Sequence, residues 1–255
     1  MNTDVHHFYE LLWSMTEKEL RARYKYTVFG FLWLVINPIL QMLVIGFIFT
    51  FFMKTPVEHY YFFLFIGLLV WNFFSLSLTK ATPSIVFERS LIKKAAFPRM
   101  VIPLSIILSN LINFFVALML YIVPVLFIHT LSLARLPYAV AAVGFLIMFT
   151  SGLSLLLCAL NVRYRDVNFF IQALLIVWFY ATPIIYSLSQ IPLRLLWLWR
   201  FNPLTSVMQL FQYAFLNAAP PGPAMLASNI AVTVIITALG ILVFRDESKT
   251  FDDWI

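Results

Sequence analysis

Charged residues are scarce in this chain, and that scarcity argues against a water-soluble fold. Only 11% of the 255 residues are Asp, Glu, Lys or Arg, whereas 62% are hydrophobic. Soluble domains carry about a quarter charged residues, so this composition leaves too little polar surface to cover an apolar core. Lipid must therefore be the outer solvent. The length suits one membrane domain, residues 1–255, with no sizeable soluble domain.

Sequence patterns for ATP, metal or hydrolytic chemistry are also missing. Each of the seven glycines is followed by Phe, Leu, Pro or Ile, so the Gly-Lys pair of a Walker A loop does not occur. The four histidines lack metal-ligand spacing, and no serine lies in a Gly-x-Ser-x-Gly elbow. We therefore predict no catalytic residue, no metal and no cofactor in this chain, and any chemistry with ATP and Mg²⁺ must come from another chain.

Other absences narrow the class further. Cys158 is the single cysteine, which excludes an intrachain disulfide. No pair of acidic residues lies inside an apolar run, which argues against a proton relay. The net charge of +6 comes from residues beside apolar runs, so nucleic acid is not a predicted partner. The first apolar run starts near Thr27 and is too long for a signal peptide, so we expect the spans to direct insertion.

Six stretches without formal charge exceed the roughly 20 residues that cross the hydrocarbon core. They lie between Lys25 and Lys54, Glu58 and Lys80, Arg99 and Arg135, Arg135 and Arg163, Asp166 and Arg194, and Arg200 and Arg245. Prolines interrupt the first half of the last stretch, which predicts short re-entrant helices there and a sixth span over residues 226–244. The predicted fold is an all-α polytopic membrane protein with six spans within residues 27–244.

The distribution of Lys and Arg predicts that both termini are cytoplasmic. A cytoplasmic N-terminus places thirteen of these residues inside and four outside, in agreement with the positive-inside rule. The inner set is Lys18, Arg21, Arg23, Lys25, Lys80, Arg89, Lys93, Lys94, Arg99, Arg163, Arg165, Arg245 and Lys249. The outer set is Lys54, Arg135, Arg194 and Arg200. Residues 245–255 then form a cytoplasmic tail.

Two cytoplasmic stretches carry apolar residues at helical spacing. The first predicts an amphipathic helix within residues 1–26 that lies in the membrane interface. Its apolar positions are Val5, Phe8, Leu11, Leu12 and Met15. The second lies between spans two and three, with apolar Ile85, Leu91, Ile92, Ala95 and Ala96 opposite Glu88, Arg89, Lys93 and Lys94. Ordinary juxtamembrane anchoring explains both patterns equally well.

Aromatic residues are abundant, at 18% of the chain, and they crowd the second span. A ring offers a flat apolar face, and Tyr and Trp add a polar edge. Such walls suit the passage of a bulky, uncharged, amphipathic polymer. The candidate aromatic path comprises Tyr60, Tyr61, Phe63, Trp71 and Phe74. Contact with lipid or with neighbouring helices is the alternative for each of them.

Three prolines interrupt apolar stretches and are candidate gate breaks: Pro38, Pro183 and Pro203. Proline removes a backbone donor and leaves a carbonyl without its helical partner. A break at these positions would serve a gate, and a static kink is the alternative.

Four motifs in register resemble the permease subunits of ABC exporters of polysaccharides, which carry O-antigen, capsule or teichoic acid. They are ELRARYKYTVFGFLWLVINPIL at 19–40, SLIKKAAFPRMVIPLS at 90–105, NVRYRDV at 161–167 followed by ATPIIYS at 181–187, and FNPLT at 201–205. The stretch Glu88-Arg89-Ser90 departs from the Asn-rich sequence expected before Leu91.

The resemblance implies a bacterial cytoplasmic-membrane permease that works as a homodimer with two copies of a separate ATPase subunit. It implies that the connector at residues 84–97 couples to the ATPase, and the coupling candidates are Glu88, Arg89, Lys93, Lys94 and Arg99. It also implies a lipid-linked polysaccharide as cargo, most simply O-antigen. Fixed basic groups favour phosphate, so Arg21, Arg23 and Lys25 are candidates for meeting the pyrophosphate of the lipid at the entrance, with topology setting as the alternative.

Two other functions remain open from the sequence. One is an ABC efflux permease for drugs or small lipids. The other is a membrane-embedded glycosyl or acyl transferase, which would act without an ATPase partner.

Overall fold

The fold is given by a computed structural model that describes residues 2–25, 30–52, 57–94, 97–128 and 132–254. All regular elements in these ranges are helices, which confirms the all-α class. The α-helices are α1 Asn2–Tyr24, α2 Trp33–Phe51, α3 Tyr60–Ala81, α4 Ser84–Phe87, α5 Arg89–Lys94, α6 Val101–Ile128, α7 Leu136–Arg163, α8 Asp166–Ala181, α9 Pro203–Leu216, α10 Pro223–Glu247 and α11 Phe251–Trp254. Short 3-10 helices are Gly30–Leu32, Leu133–Arg135, Leu188–Gln190, Leu193–Leu195 and Leu198–Phe201.

Five helices in the described ranges are long and apolar enough to cross a membrane: α2, α3, α6, α7 and α10. They fall in five of the six predicted stretches. The remaining stretch holds α8, whose 16 residues extend about 24 Å, less than the roughly 30 Å of hydrocarbon. The helix ends because Thr182 is extended (φ −105°, ψ 138°), a conformation that the following Pro183 favours.

Helix α3 forms the centre of the apolar core, and the other spans surround it. The core joins side chains of α3, α6, α7 and α9, and the side chains of Phe74 and Phe149 stack with ring centroids 5.6 Å apart. By contrast, most of α2 and α10 faces outward. An outward apolar face is stable in lipid, because hydrocarbon solvates it as well as a protein core does.

Helices α7 and α10 pack most closely where two glycines meet. A Cβ added at Gly240 would overlap the carbonyl of Gly152, and one at Gly152 would overlap Thr237. The Thr237 hydroxyl donates to the carbonyl of Met148 at 3.0 Å. Small residues allow membrane helices to approach backbone to backbone, so this contact holds α7 and α10 as one unit.

A second apolar cluster lies at the end of the bundle that carries both termini. Met15 of α1, Ile85 of α4, Ile92 of α5 and Phe251 of α11 are buried in it. Phe8, Leu11 and Leu12 pack against it, so the predicted apolar face of the N-terminal helix is confirmed for these side chains. The side chain of Val5 and residues Ala95 and Ala96 lie outside the described part of the chain.

Candidate functional site

The connector between α3 and α6 consists of two short helices, α4 and α5, rather than one. The break is at Glu88, whose backbone (φ −91°, ψ 21°) leaves the helical region. Ile85 and Ile92 are buried in the second apolar cluster, as the sequence predicts. Arg89, Lys93 and Lys94 are exposed, so three of the five predicted coupling residues present positive charge on this surface.

The other two coupling candidates bind other parts of the chain. Glu88 accepts a 2.7 Å hydrogen bond from Lys18, which ties the connector to α1. Arg99 donates to the carbonyl of Ser248, and its guanidinium lies 5.9 Å from the ring centroid of Phe251. These contacts join the N-terminal helix, the connector and the C-terminal tail in one surface, which we call the coupling face (α1, α4, α5 and α11).

Two of the three candidate gate breaks meet at a single side chain, Asn202. Its amide nitrogen donates to the carbonyl of Ala181 at 3.2 Å and to the hydroxyl of Thr182 at 3.0 Å. Its amide oxygen accepts from the indole of Trp178 at 3.1 Å and from the backbone N–H of Leu204 at 3.2 Å. Asn202 therefore caps α9 and fixes the end of α8, so the breaks at Pro183 and Pro203 form one junction.

The third break, Pro38, lies inside α2, which continues through it. Pro38 lines a cavity of about 300 Å³ between α2, α3 and α6 whose lining includes several amide side chains. Its polar lining includes Arg23, Asn37, Asn72, Asn110 and Asn113. Pro38 therefore lies at a polar cavity and does not end the helix.

The three basic entrance candidates have different surroundings. Arg21 is exposed and pairs with Glu17 one turn earlier in α1. Lys25 is exposed at the end of α1. Arg23 is half-buried, and its Nη2 donates to the Asn110 side chain at 2.6 Å. Among these three residues, Arg23 lines the amide-rich cavity between α2, α3 and α6.

Four of the five residues of the candidate aromatic path are buried inside the protomer. Tyr60, Phe63, Trp71 and Phe74 belong to the central core, and the Tyr60 hydroxyl donates to the carbonyl of Ile185 at 2.8 Å. Tyr61 is 37% exposed and lines a second, apolar cavity. These four side chains pack against neighbouring helices within one chain, and a role for them in a cargo path stays a prediction.

Comparison with known proteins gives a consistent family. Residues 10–216 match the family described as ABC-2 type transporter. The chain is 33% identical to the O-antigen export system permease protein RfbA of Myxococcus xanthus over 255 residues, covering 99% of this chain and 98% of the relative. It is 34% identical over 220 residues to a protein of that name from Klebsiella pneumoniae, covering 85% and 84%. The chain belongs to the ABC-2 type transporter family. The resemblance found in the four motifs is thereby confirmed.

The structure also shows features of this ABC-2 transporter that the sequence patterns missed. The outward face of α8 carries large exposed aromatic side chains: Phe169 is 70%, Phe170 63% and Tyr180 62% exposed. The breaks at Pro183 and Pro203 follow from the sequence, but their connection through Asn202 does not, because three of its four partners lie 20 to 24 residues away. The Asn-Pro pair itself indicates the start of α9, because Asn is a favoured helix N-cap and Pro a favoured first residue.

Proposed function

We propose that this chain is the permease subunit of an ATP-driven exporter that moves a lipid-linked polysaccharide, O-antigen in the first instance, out across the bacterial cytoplasmic membrane. The observation that carries the proposal is the similarity to relatives named as O-antigen export permeases, which extends over nearly the full length of both chains. A cargo inferred from such coverage does not depend on one shared domain within a larger protein.

The proposed assembly is a homodimer of this chain with two copies of a separate nucleotide-binding ATPase. The coupling face supports this arrangement, since Arg89, Lys93 and Lys94 present three exposed cations beside the strongly exposed ring of Phe87. Aromatic residues and arginine are enriched at protein interfaces, so Phe87 and Arg89 are suited to contact a partner. In this assembly the ATPase binds this face, and its nucleotide state changes the permease because it binds one conformation better than another.

The proposed topology has six crossings, with both termini and the coupling face in the cytoplasm. Helix α8 and the 3-10 segments after it form the fifth crossing, and α9 is a short re-entrant helix at the outer gate. The Asn202 junction supports this reading because it joins the end of α8 to the start of α9. In this topology the hydrogen bonds of Asn202 couple movement at Pro183 to movement at Pro203.

The cargo path is proposed along the interface between two copies and not inside one. The outward rings of α8 and α2 support this location, since Phe169, Tyr180 and Phe47 are each more than half exposed. A wall of exposed rings offers flat, weakly binding surfaces to a glycan. The hydroxyl groups of Tyr add hydrogen bonds that do not select one type of sugar.

The proposal is tested by measuring surface glycan in a strain from which the gene for this chain has been deleted. The expected result is loss of surface glycan together with accumulation of lipid-linked glycan at the inner leaflet, and restoration of export by the intact chain. Reconstitution with the ATPase in proteoliposomes should show ATPase stimulation by the lipid-linked glycan. Unchanged surface glycan in the deleted strain, or stimulation by small drugs alone, would overturn the proposal.

A further inference from the structure

Two cavities follow one another along the same three helices, α2, α3 and α6, and they differ in chemistry. The first is the amide-rich cavity of about 300 Å³ that contains Arg23. The second, about 220 Å³, is almost entirely apolar and begins about one helical turn further along. Lining positions on α3 run from Thr79 in the first to Tyr61 in the second, roughly 27 Å at 1.5 Å per residue. We call the two cavities together the α2/α3/α6 cleft.

The polar end of the cleft holds a cation whose hydrogen-bonding capacity is only partly used. Nη2 of Arg23 donates to Asn110, whose amide nitrogen donates in turn to the hydroxyl of Ser77 at 3.1 Å. The guanidinium also forms a hydrogen bond with the Tyr24 phenol, and its Nε and Nη1 are shielded from solvent. Burying a guanidinium is costly unless acceptors reach its five N–H donors.

Further donors converge on the same point. Asn113 is buried, and its side chain forms a hydrogen bond with the Tyr24 phenol, which also bonds with Arg23. Burial raises the pKa of Tyr24, so its hydroxyl keeps its proton at neutral pH. Lys80 adds a second positive charge within range of Arg23, although its side chain lines a neighbouring cavity together with Glu19. Such a set of donors fits a phosphate, which offers several oxygen acceptors and negative charge.

The other end of the cleft fits a hydrocarbon. Ile39 and Met42 of α2, Phe65 of α3 and Pro124 of α6 line it. Since α2 contributes to both ends and is itself mostly exposed, the cleft lies beside an outward-facing apolar helix. A molecule with a phosphate head and an apolar tail can therefore fill both ends at once.

We propose that the α2/α3/α6 cleft binds the phosphorylated end of the lipid that carries the cargo. The phosphate lies against Arg23 and Asn113, and the hydrocarbon chain lies along Ile39, Met42 and Phe65. The identity of the lipid rests on the proposed function. A membrane phospholipid has related chemistry, and the test separates the two.

The head end is tested by binding of a polyprenyl pyrophosphate and of the matching polyprenol to the full chain with its ATPase in nanodiscs. The intact protein should bind the pyrophosphate at least tenfold more tightly than the polyprenol. Arg23→Gln should reduce that preference to less than twofold, as should Asn113→Asp, which keeps the side-chain size. Arg21→Gln, on the exposed side of the same helix, should leave it unchanged. Equal loss of both ligands in Arg23→Gln would show a structural role and overturn the proposal.

The tail end is tested by filling the apolar cavity. Met42→Trp should weaken binding of a long-chain polyprenyl pyrophosphate at least tenfold, and that of a short isoprenyl pyrophosphate less than twofold. Leu43→Trp, on the outward face of α2, is the matched control and should change neither. If phosphatidylglycerol at equal concentration displaces the polyprenyl pyrophosphate, the cleft binds bulk lipid. If inorganic pyrophosphate binds as tightly as the polyprenyl pyrophosphate, the hydrocarbon tail has no role in binding. Either result overturns the proposal, and neither changes the export phenotype that tests the proposed function.

Discussion

Single polar side chains decide how the apolar helices of this chain are arranged. Asn202 uses both atoms of its amide for four hydrogen bonds, to Trp178, Ala181, Thr182 and Leu204. In a water-poor environment each of those partners would lose its bond if the amide were removed. An Asn-Pro pair read from sequence indicates a helix start, but it does not indicate which distant residues the amide will bind.

Asn202→Ala should therefore lower the stability of the protein. Loss of a buried hydrogen-bonding group costs about 1–3 kcal/mol for each partner left unsatisfied, although water recovers part of that at a break. The expected result is a clear drop in thermal unfolding temperature in detergent, with reduced export. Gln190→Ala, at an exposed position in the neighbouring 3-10 segment, is the control. A melting temperature equal to that of the control would show that the junction does not hold α8 to α9.

Among the helices, hydropathy and burial are poorly related. Helices α2 and α3 have similar mean hydropathy, 2.1 and 1.9, yet 11% of the first and 72% of the second is buried. Sequence therefore located both spans but gave no basis for choosing α3 as the central helix. Hydropathy alone therefore does not indicate that Tyr60, Phe63, Trp71 and Phe74 of the candidate aromatic path lie in the core.

The contact between α7 and α10 depends on two residues without side chains. Replacing Gly152 or Gly240 by Leu should separate the helices, because the new side chain would occupy the backbone of the partner. Overpacking of this kind typically costs about 1–3 kcal/mol, and more where backbone must move. Gly144→Leu is a matched control on α7, since a Cβ there meets nothing within 4 Å. Thermal stability should fall for the first two variants and stay unchanged for the third.

The short helices of the coupling face lead to a prediction about association. Lys93→Glu with Lys94→Glu reverses two exposed charges on α5 and should weaken binding of the ATPase about tenfold or more, with a strong dependence on salt. The measurement is recovery of the ATPase in a pull-down with the permease. Arg194→Glu, an exposed charge at the opposite end of the molecule, should leave recovery unchanged. Equal recovery with the α5 variant would remove α5 from the interface.

For the molecule as a whole, the lack of charge predicted most of the architecture. Five charge-free stretches contain helices that are long and apolar enough to cross a membrane, and the N-terminal amphipathic stretch forms α1. The shortness of α8 was not predicted, since counting charges does not register the stop at Pro183. The cleft was not predicted either, because it needs α1, α2, α3 and α6 side by side. Its residues come from positions as far apart in sequence as Arg23 and Asn113.

The orientation of the chain across the bilayer is the claim on which the coupling face, the gate and the cleft all depend. It is tested by labelling single cysteines in intact cells with a membrane-impermeant thiol reagent, in a background with Cys158→Ala. Cysteines replacing Glu58 and Ala219 should be labelled from outside, whereas those replacing Arg89 and Arg165 should react only after the membrane is permeabilised. Labelling of the Arg165 position from outside, together with Glu58, would contradict the account.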